Sequence, residues 1–317
     1  MTKLIERIHY FMDGPWRQKA RILPNLTGQA ASDYIASRIR ERSTPFLVSR
    51  FGTSELYAFL PFVYKKKYGS SKIKKSIAYM SGDIDKYWID KNTILGLERN
   101  AGFFPVNEEN LNRYSELLFS IIPEIDFLGF WIGAEADILN YMPNCVTSEL
   151  SSLEPFRHVN PWSKELEGLK VLVISPFTQT IEQQYKVRKL THPPSIALPE
   201  FELIPLKAVQ SAAYEDTEFS SWFEALDWMQ EAISNTDFDV ALIGAGAYGM
   251  PLASFIKTKM QKTAIHLGGG LQLMFGINGD RWSNDPLINS IKNEFWVVPA
   301  PNERPKKWRE IEEGCYW

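Results

Sequence analysis

The stretch Val240-Ala-Leu-Ile-Gly-Ala-Gly-Ala-Tyr-Gly249 decides the fold class of this chain. Its first four residues are apolar and predict a buried strand. The glycines that follow, Gly244, Gly246 and Gly249, have the spacing G-x-G-x-x-G, and residues 251–259 have the pattern of a helix. A strand that enters a glycine turn and then a helix is typical of α/β proteins.

The same alternation continues on both sides of this stretch. Residues 263–267 predict the next strand, which ends at Gly268-Gly269-Gly270. Upstream, strands are predicted at 168–174 and 201–206, with helices at 180–190 and 222–233. Strands that are apolar throughout suit a sheet buried on both faces. We therefore predict an α/β fold with a Rossmann-like, mostly parallel sheet and helices on both faces.

The first half of the chain carries further elements of the same kind. Strands are predicted at 46–49 and 126–132, and helices at 30–42, 56–60, 92–101 and 107–121. Residues 133–162 are irregular and contain three prolines, so they are the best candidate for a boundary or a cleft-lining connection. We expect one α/β unit over residues 1–317, with a possible subdivision into 1–165 and 166–317.

Composition and charge exclude several functional classes. The 317 residues carry a net charge of −3, so no global basic field favours nucleic acid. The two cysteines form no disulfide or zinc pattern, which indicates a reducing, cytoplasmic location. No run of 18 apolar residues occurs, and residues 1–12 predict a short amphipathic docking helix.

A local basic patch departs from this near-neutral background. It comprises the lysines at residues 65–67 and 72–75. A solvated loop is the plainer interpretation. The alternative is an anionic partner, such as a lipid-linked acceptor or membrane headgroups, which would make the protein peripheral to a membrane.

Small or polar residues follow four of the predicted strands. Because the carboxyl ends of parallel strands share one edge of the sheet, we expect these segments to meet there. Glycine turns let the backbone approach a ligand, and helix N-termini favour phosphate. The sequence therefore predicts a phosphate-binding edge built from Ser49–Gly52, Ser175-Pro176-Phe177, Gly244–Gly249 and His266–Gly268. Tyr248 could stack on a base or sugar there, and Gln184 and Tyr185 could reach the same edge.

Alternatives stay open for several of these residues. A nicotinamide-binding turn usually follows the first strand, and an acidic residue ends the next one; here His266 stands in that place, which argues against a dinucleotide oxidoreductase. The glycines could instead only permit close packing of helix and strand. His266 is either a buried structural imidazole or a donor to a diphosphate or a general base.

The segment Arg50-Phe-Gly-Thr-Ser-Glu55 carries the more pointed chemistry. Arg50 offers a fork for a phosphate or carboxylate, and Gly52 permits a tight turn. Glu55 falls in the first turn of the next helix. It could ligate a hard metal or act as a base, or it could only complement the helix N-terminus.

Several blocks resemble a family of bacterial proteins from surface-polysaccharide clusters. They are residues 162–177, 206–210, 264–276 and 314–317. More distantly, the layout resembles the GT-D type of glycosyltransferase, which has a Rossmann-like sheet and an early Arg-Phe-Gly-Asp-Gly-Glu-like segment. The Asp-x-Glu pair of that segment serves the metal and the nucleotide sugar. Arg50, Phe51, Gly52 and Glu55 agree with it, whereas Thr53 stands where that family has Asp.

The resemblance implies a glycosyltransferase of capsule or O-antigen synthesis, with a nucleotide-diphosphate sugar donor and a glycan or lipid-linked glycan acceptor. It implies Glu55 as the residue for Mn²⁺ or Mg²⁺, and Glu55 with His266 as catalytic residues. The alternatives are a non-catalytic nucleotide-sugar-binding or assembly protein, and another group transferase acting on glycans. The residues expected to bind the donor are Arg50, Gly52, Thr53, Ser175, Pro176, Gln184, Tyr185, Gly244, Gly246, Tyr248, Gly249, Gly268 and Gly269.

Overall fold

The computed structural model describes residues 22–317, so the docking helix expected at residues 1–12 lies outside the described part. Seven strands form one sheet in the order β3-β2-β1-β7-β6-β4-β5, and every pair of neighbours is parallel. The predicted α/β, Rossmann-like class is confirmed. The strands are β1 (Leu47–Ser49), β2 (Phe127–Phe130), β3 (Val146–Glu149), β4 (Lys170–Ser175), β5 (Glu202–Lys207), β6 (Val240–Ile243) and β7 (Thr263–His266).

Helices connect the strands and cover both faces of the sheet. The described α-helices are α1 (Gly28–Glu41), α2 (Thr53–Tyr68), α3 (Lys72–Met80), α4 (Lys91–Arg99), α5 (Glu108–Ile121), α6 (Thr178–Lys186), α7 (Arg188–Thr191), α8 (Trp222–Ser234), α9 (Gly249–Thr258), α10 (Gly270–Met274) and α11 (Pro286–Ile291). The single helix expected at 180–190 is two helices, α6 and α7, which are interrupted at Val187.

Two apolar layers hold the helices against the sheet. Leu172 and Ile174 of β4 face one layer, which contains α2, α5, α8 and α9. Val171 and Val173 face the other, which contains α1, α6 and α10. Because successive side chains of a strand point to opposite faces, both sets are buried, and this explains why the strand is apolar throughout.

One strand joins the two halves of the chain. Val48 of β1 pairs with Phe127 of β2 on one side and with Ile265 of β7 on the other. The sheet therefore continues across the subdivision considered at residue 165.

Strand β3 lies inside the stretch 133–162 that was expected to be irregular. It has the sequence Val-Thr-Ser-Glu and forms the edge of the sheet beside β2. Its two central residues, Thr147 and Ser148, are polar although they are buried, so a search for apolar runs does not find the strand. The rest of the stretch contains short 3₁₀ turns.

The helices that follow neighbouring strands lie on opposite faces of the sheet. After β1 the chain enters α2, and after β6 it enters α9, both on one face. After β7 it enters α10, and after β4 it enters α6, both on the other face. Since the order is β1-β7-β6-β4, the exits alternate, and a crevice opens at the carboxyl ends of these strands.

Candidate functional site

A cavity of about 160 Å³ occupies this crevice. The loops that follow β1, β4, β6 and β7 form its walls, so the expected convergence of strand ends places most of the predicted site residues together. Those that line the cavity are Arg50, Gly52, Thr53, Glu55, Ser175, Pro176, Gly244, Gly246, Tyr248, His266, Gly268 and Gly269.

Gln184 and Tyr185 do not line this cavity. The side-chain amide of Gln184 is buried and donates to the carbonyls of Phe275 and Phe295. The hydroxyl of Tyr185 accepts the backbone N–H of Phe201 and donates to its carbonyl, both at 2.7 Å. Both side chains lie late in α6, away from the crevice. Their polar atoms need hydrogen-bond partners, and they find them in the backbone of neighbouring loops.

Tyr248 lines the cavity, but its ring is already stacked. It lies 5.0 Å from the ring of Trp222 at an interplanar angle of 9°. Its hydroxyl lies 3.1 Å from Oγ of Ser211, and the residue is 1% exposed. The face that was expected to stack on a base or sugar is therefore packed against protein.

A carboxylate of the protein occupies the N-terminus of α6, the helix that follows Ser175-Pro176-Phe177. Glu303 accepts the backbone N–H of Gln179 at 2.8 Å and that of Thr180 at 3.2 Å, and it also accepts the Thr180 hydroxyl. A helix N-terminus binds anions through these free amides. Here Glu303 satisfies them, so this helix end is not open to a ligand phosphate.

Removing the Glu303 carboxylate should destabilise the fold. In Glu303→Ala the first-turn amides of α6 and the buried Thr180 hydroxyl lose their acceptor, so we expect the free energy of unfolding to fall by about 2 kcal/mol. Urea denaturation measures this. Glu310→Ala, at an exposed position, is the matched control and should change it by less than about 0.5 kcal/mol. Equal midpoints for the two variants would contradict the capping role.

Arg50 follows β1 directly, and no residue in 22–317 accepts a hydrogen bond from its side chain. Its guanidinium carbon lies 5.3 Å from the centre of the Trp131 ring, and Trp131 is fixed by a 2.9 Å bond from its indole N–H to the Phe51 carbonyl. The Nε atom of Arg50 is buried with no acceptor. A buried donor of a cationic group that lacks an acceptor calls for an explanation, and an anionic ligand would supply that acceptor.

A second guanidinium faces the same cavity. Arg281 donates to Oε2 of Glu312 at 2.8 Å and to the hydroxyl of Tyr316 at 2.9 Å. Burial lowers the pKa of Arg50, and the positive charge of Arg281 adds to this while Glu55 opposes it. Both arginines stay protonated, since the usual arginine pKa is far above neutrality. The cavity therefore offers two cations to one ligand.

Glu55 lies in the first turn of α2, as the sequence predicts. Its carboxylate folds over Gly52, where an added Cβ would stand 2.0 Å from Oε2, so a side chain at position 52 would displace the carboxylate. Burial raises the pKa of Glu55, and the positive charge of Arg50 opposes the rise. A carboxylate with a raised pKa is a better proton acceptor near neutrality.

His266 lies at the end of β7 and is 4% exposed. Its Nδ1 lies 3.1 Å from Oγ of Ser49. Its ring rests against Gly249, where a Cβ would come within 2.2 Å of Nε2, so Gly249 supports the imidazole from outside the cavity lining. Burial, with a smaller contribution from Arg50, lowers the pKa of His266 to about 3. The imidazole is therefore neutral at physiological pH and a weak general base, which favours its role as a hydrogen-bonding group.

The C-terminal segment supplies a wall that sequence reasoning did not assign. The backbone N–H of Arg281 donates to the Cys315 carbonyl at 2.8 Å and holds this segment over the crevice. The sequence gives one sign of this wall, because residues 314–317 belong to the blocks that carry the family resemblance. The cavity-lining residues missed from the sequence include Trp131, Gln210, Arg281, Glu312, Tyr316 and Trp317.

The carboxylates of the cavity do not form a metal cage. Glu55 and Glu312 are the acidic residues that line it, and Thr53 stands where the GT-D segment has Asp. Within residues 22–317, no group of three or more His, Cys, Asp or Glu side chains is placed to hold a metal ion. Mn²⁺ and Mg²⁺ prefer several oxygen ligands, mainly carboxylates and waters, so the residues do not fit the expected resident cation.

Comparisons with known proteins return no relative. No family model matches the chain, and no curated protein and no solved structure matches it. In the described part of the chain, no helix is long and apolar enough to cross a lipid bilayer.

Proposed function

We propose that this chain is a glycosyltransferase that uses a nucleotide-diphosphate sugar in the synthesis of a surface polysaccharide. The observation that carries the proposal is Arg50, a cationic side chain without a hydrogen-bond acceptor in residues 22–317, at the crevice where four strand ends meet. Ligands of open parallel sheets bind at such crevices. The resemblance of Arg50, Phe51, Gly52 and Glu55 to the GT-D segment supports the same assignment.

In this proposal the donor's diphosphate lies between Arg50 and Arg281. Guanidinium groups match phosphate oxygens in a forked geometry, and two of them spread their charge over both phosphates. Arg281 would turn from Glu312 towards the ligand. Both side chains are partly exposed, 32% for Arg281 and 43% for Glu312, so water can solvate the carboxylate that Arg281 leaves. Trp131, which is 42% exposed, offers aromatic surface to a base or sugar.

Transfer then needs one proton acceptor and one stabilised leaving group. The acceptor hydroxyl attacks the anomeric carbon of the sugar, and its proton passes to the Glu55 carboxylate. The bond from the anomeric carbon to the diphosphate oxygen breaks, and its electron pair leaves with the nucleoside diphosphate. Arg50 and Arg281 stabilise the charge that develops there, which is the part that a divalent cation has in the GT-D resemblance.

A thermal-shift panel tests the proposal. Nucleoside diphosphates and nucleotide sugars are compared with the matching nucleosides, each with a chelator and with added Mn²⁺ or Mg²⁺. A ligand at about 100 times its Kd stabilises the native state by about 2.7 kcal/mol, so we expect a rise in Tm of roughly 5 °C for the diphosphates. Chelation should leave the rise unchanged. Equal shifts with nucleosides would contradict a diphosphate site.

One observation favours a second candidate, a protein that binds nucleotide sugars without transferring them. Thr53 replaces a carboxylate that the resemblance assigns to the metal and donor, and a hydroxyl is a poor substitute. The two candidates share the binding site and differ in turnover. Release of nucleoside diphosphate from a nucleotide sugar, measured with the purified protein and candidate glycan acceptors, separates them.

A further inference from the structure

Helix α3 presents an apolar stripe to solvent. Its three exposed aliphatic residues are Ile73, Ile77 and Met80, which are 74%, 56% and 47% exposed. Their spacing of four and then three residues places them on one face of the helix. The opposite face, with Ala78 and Tyr79, is buried against the protein. Three aligned, solvent-facing aliphatic side chains on one short helix are unusual for a surface without a partner.

Lysines frame this stripe. Lys72 and Lys74 precede and follow Ile73, so on a helix they project to either side of the stripe, about 100° away from it. The end of α2 adds three exposed lysines at residues 65–67. Six lysines occur within residues 65–75, and no acidic residue occurs between Glu55 and Asp83. The surface therefore combines an apolar centre with a rim that is rich in lysines.

The lysines of the two helices share one surface. The pKa of Lys75 is lowered, first by burial and then by the positive charges of Lys65 and Lys72. Like charges held together in this way cost free energy unless an anionic surface neutralises them.

We propose that α3 and the end of α2 form a docking surface for an anionic lipid membrane. The stripe of Ile73, Ile77 and Met80 would enter the boundary between headgroups and acyl chains, and the lysines would contact the headgroup phosphates. Charge complementarity selects this occupant, and the aliphatic stripe distinguishes it from a nucleic acid, whose backbone offers nothing for aliphatic side chains to bury against.

The docking surface is separate from the cavity. Helix α2 begins at the cavity with Thr53 and runs for 16 residues, a rise of about 24 Å, to the lysines. Membrane binding can therefore fail while the cavity still binds its ligand, and the reverse also holds.

Vesicle flotation tests the docking surface. The full chain is mixed with phosphatidylcholine vesicles that contain either no charged lipid or about 30% phosphatidylglycerol, at about 0.15 M salt. We expect binding to the anionic vesicles alone. Lys72→Glu/Lys74→Glu should lower the partition coefficient at least about 10-fold, since each lysine near the surface contributes to the attraction. Ile73→Ser/Ile77→Ser should lower it by about 10-fold as well, through lost apolar burial.

Matched variants complete the experiment. Lys186→Glu/Lys189→Glu, exposed lysines on the other face of the sheet, should change the partition coefficient by less than about twofold. The nucleotide-induced shift in Tm should be the same in all variants. Absence of binding to anionic vesicles overturns the proposal. So does binding that depends on the lysines but not on the two isoleucines, because that result indicates electrostatic adsorption without insertion of the apolar stripe.

Discussion

Arg50→Ala should weaken the binding of a nucleoside diphosphate by at least about 30-fold. The side chain has no acceptor in the described structure, so its hydrogen-bonding capacity is available for the ligand, and loss of a charge-assisted contact in a partly buried site costs about 2–5 kcal/mol. Titration calorimetry measures the Kd. Arg50→Lys keeps the charge but loses the fork, so its Kd should lie between those of the wild type and the alanine variant.

The control for this loss is an arginine with a protein partner. Arg40 pairs with Glu165 on the surface, and Arg40→Ala should leave the Kd unchanged. Arg50→Ala should melt close to the wild type, because it removes no hydrogen bond, only the contact with the Trp131 ring and the attraction to Glu55. Wild-type affinity in a folded Arg50→Ala protein would show that the anion binds elsewhere.

Glu55→Gln should lower kcat by about 10²–10⁴-fold and leave the Kd for the donor nearly unchanged. The amide keeps the shape over Gly52 but cannot accept the proton of the acceptor hydroxyl. Sugar transfer under saturating donor measures the loss. Because burial raises the pKa of Glu55, the wild-type rate should fall as pH drops through a value above the usual 4.5, and this acidic limb should be absent from the residual rate of the variant.

A control variant and a stability measurement test whether the loss of rate in Glu55→Gln is specific. Glu116→Gln, at an exposed position of α5, should keep the wild-type rate and pH profile. The Tm of Glu55→Gln should be no lower than that of the wild type at neutral pH, because a raised pKa means that ionised Glu55 destabilises the folded state there. Full activity in the variant would remove Glu55 from the mechanism.

The strands that could be predicted from the sequence are those that the fold buries on both faces. Residues 240–243 form β6 with the bounds expected, since two buried faces require an unbroken apolar run. Strand β3 was not predicted because its buried central residues, Thr147 and Ser148, are polar. The order of the strands could not be derived from the sequence, because β1 pairs with β7, which lies more than 200 residues later in the chain.

The cavity shows the same division. Arg50 and Glu55 were found because they adjoin a predicted strand end, where the topology fixes their location. Gln184 was also expected at the crevice, but its position in α6 places its side-chain amide against the carbonyls of Phe275 and Phe295, to which it donates. Arg281 and Tyr316 were missed since only the path of the C-terminal segment, a tertiary property, brings them to the crevice.

The placement of β1 between β2 and β7 has a consequence for biosynthesis. When the ribosome has made the first half of the chain, one edge of β1 still lacks its neighbour, because β7 is synthesised last of all the strands. An unpaired apolar strand edge is a template for association with other chains. The nascent protein should therefore depend on chaperones until late in translation, and fragments that end before Thr263 should be prone to aggregation.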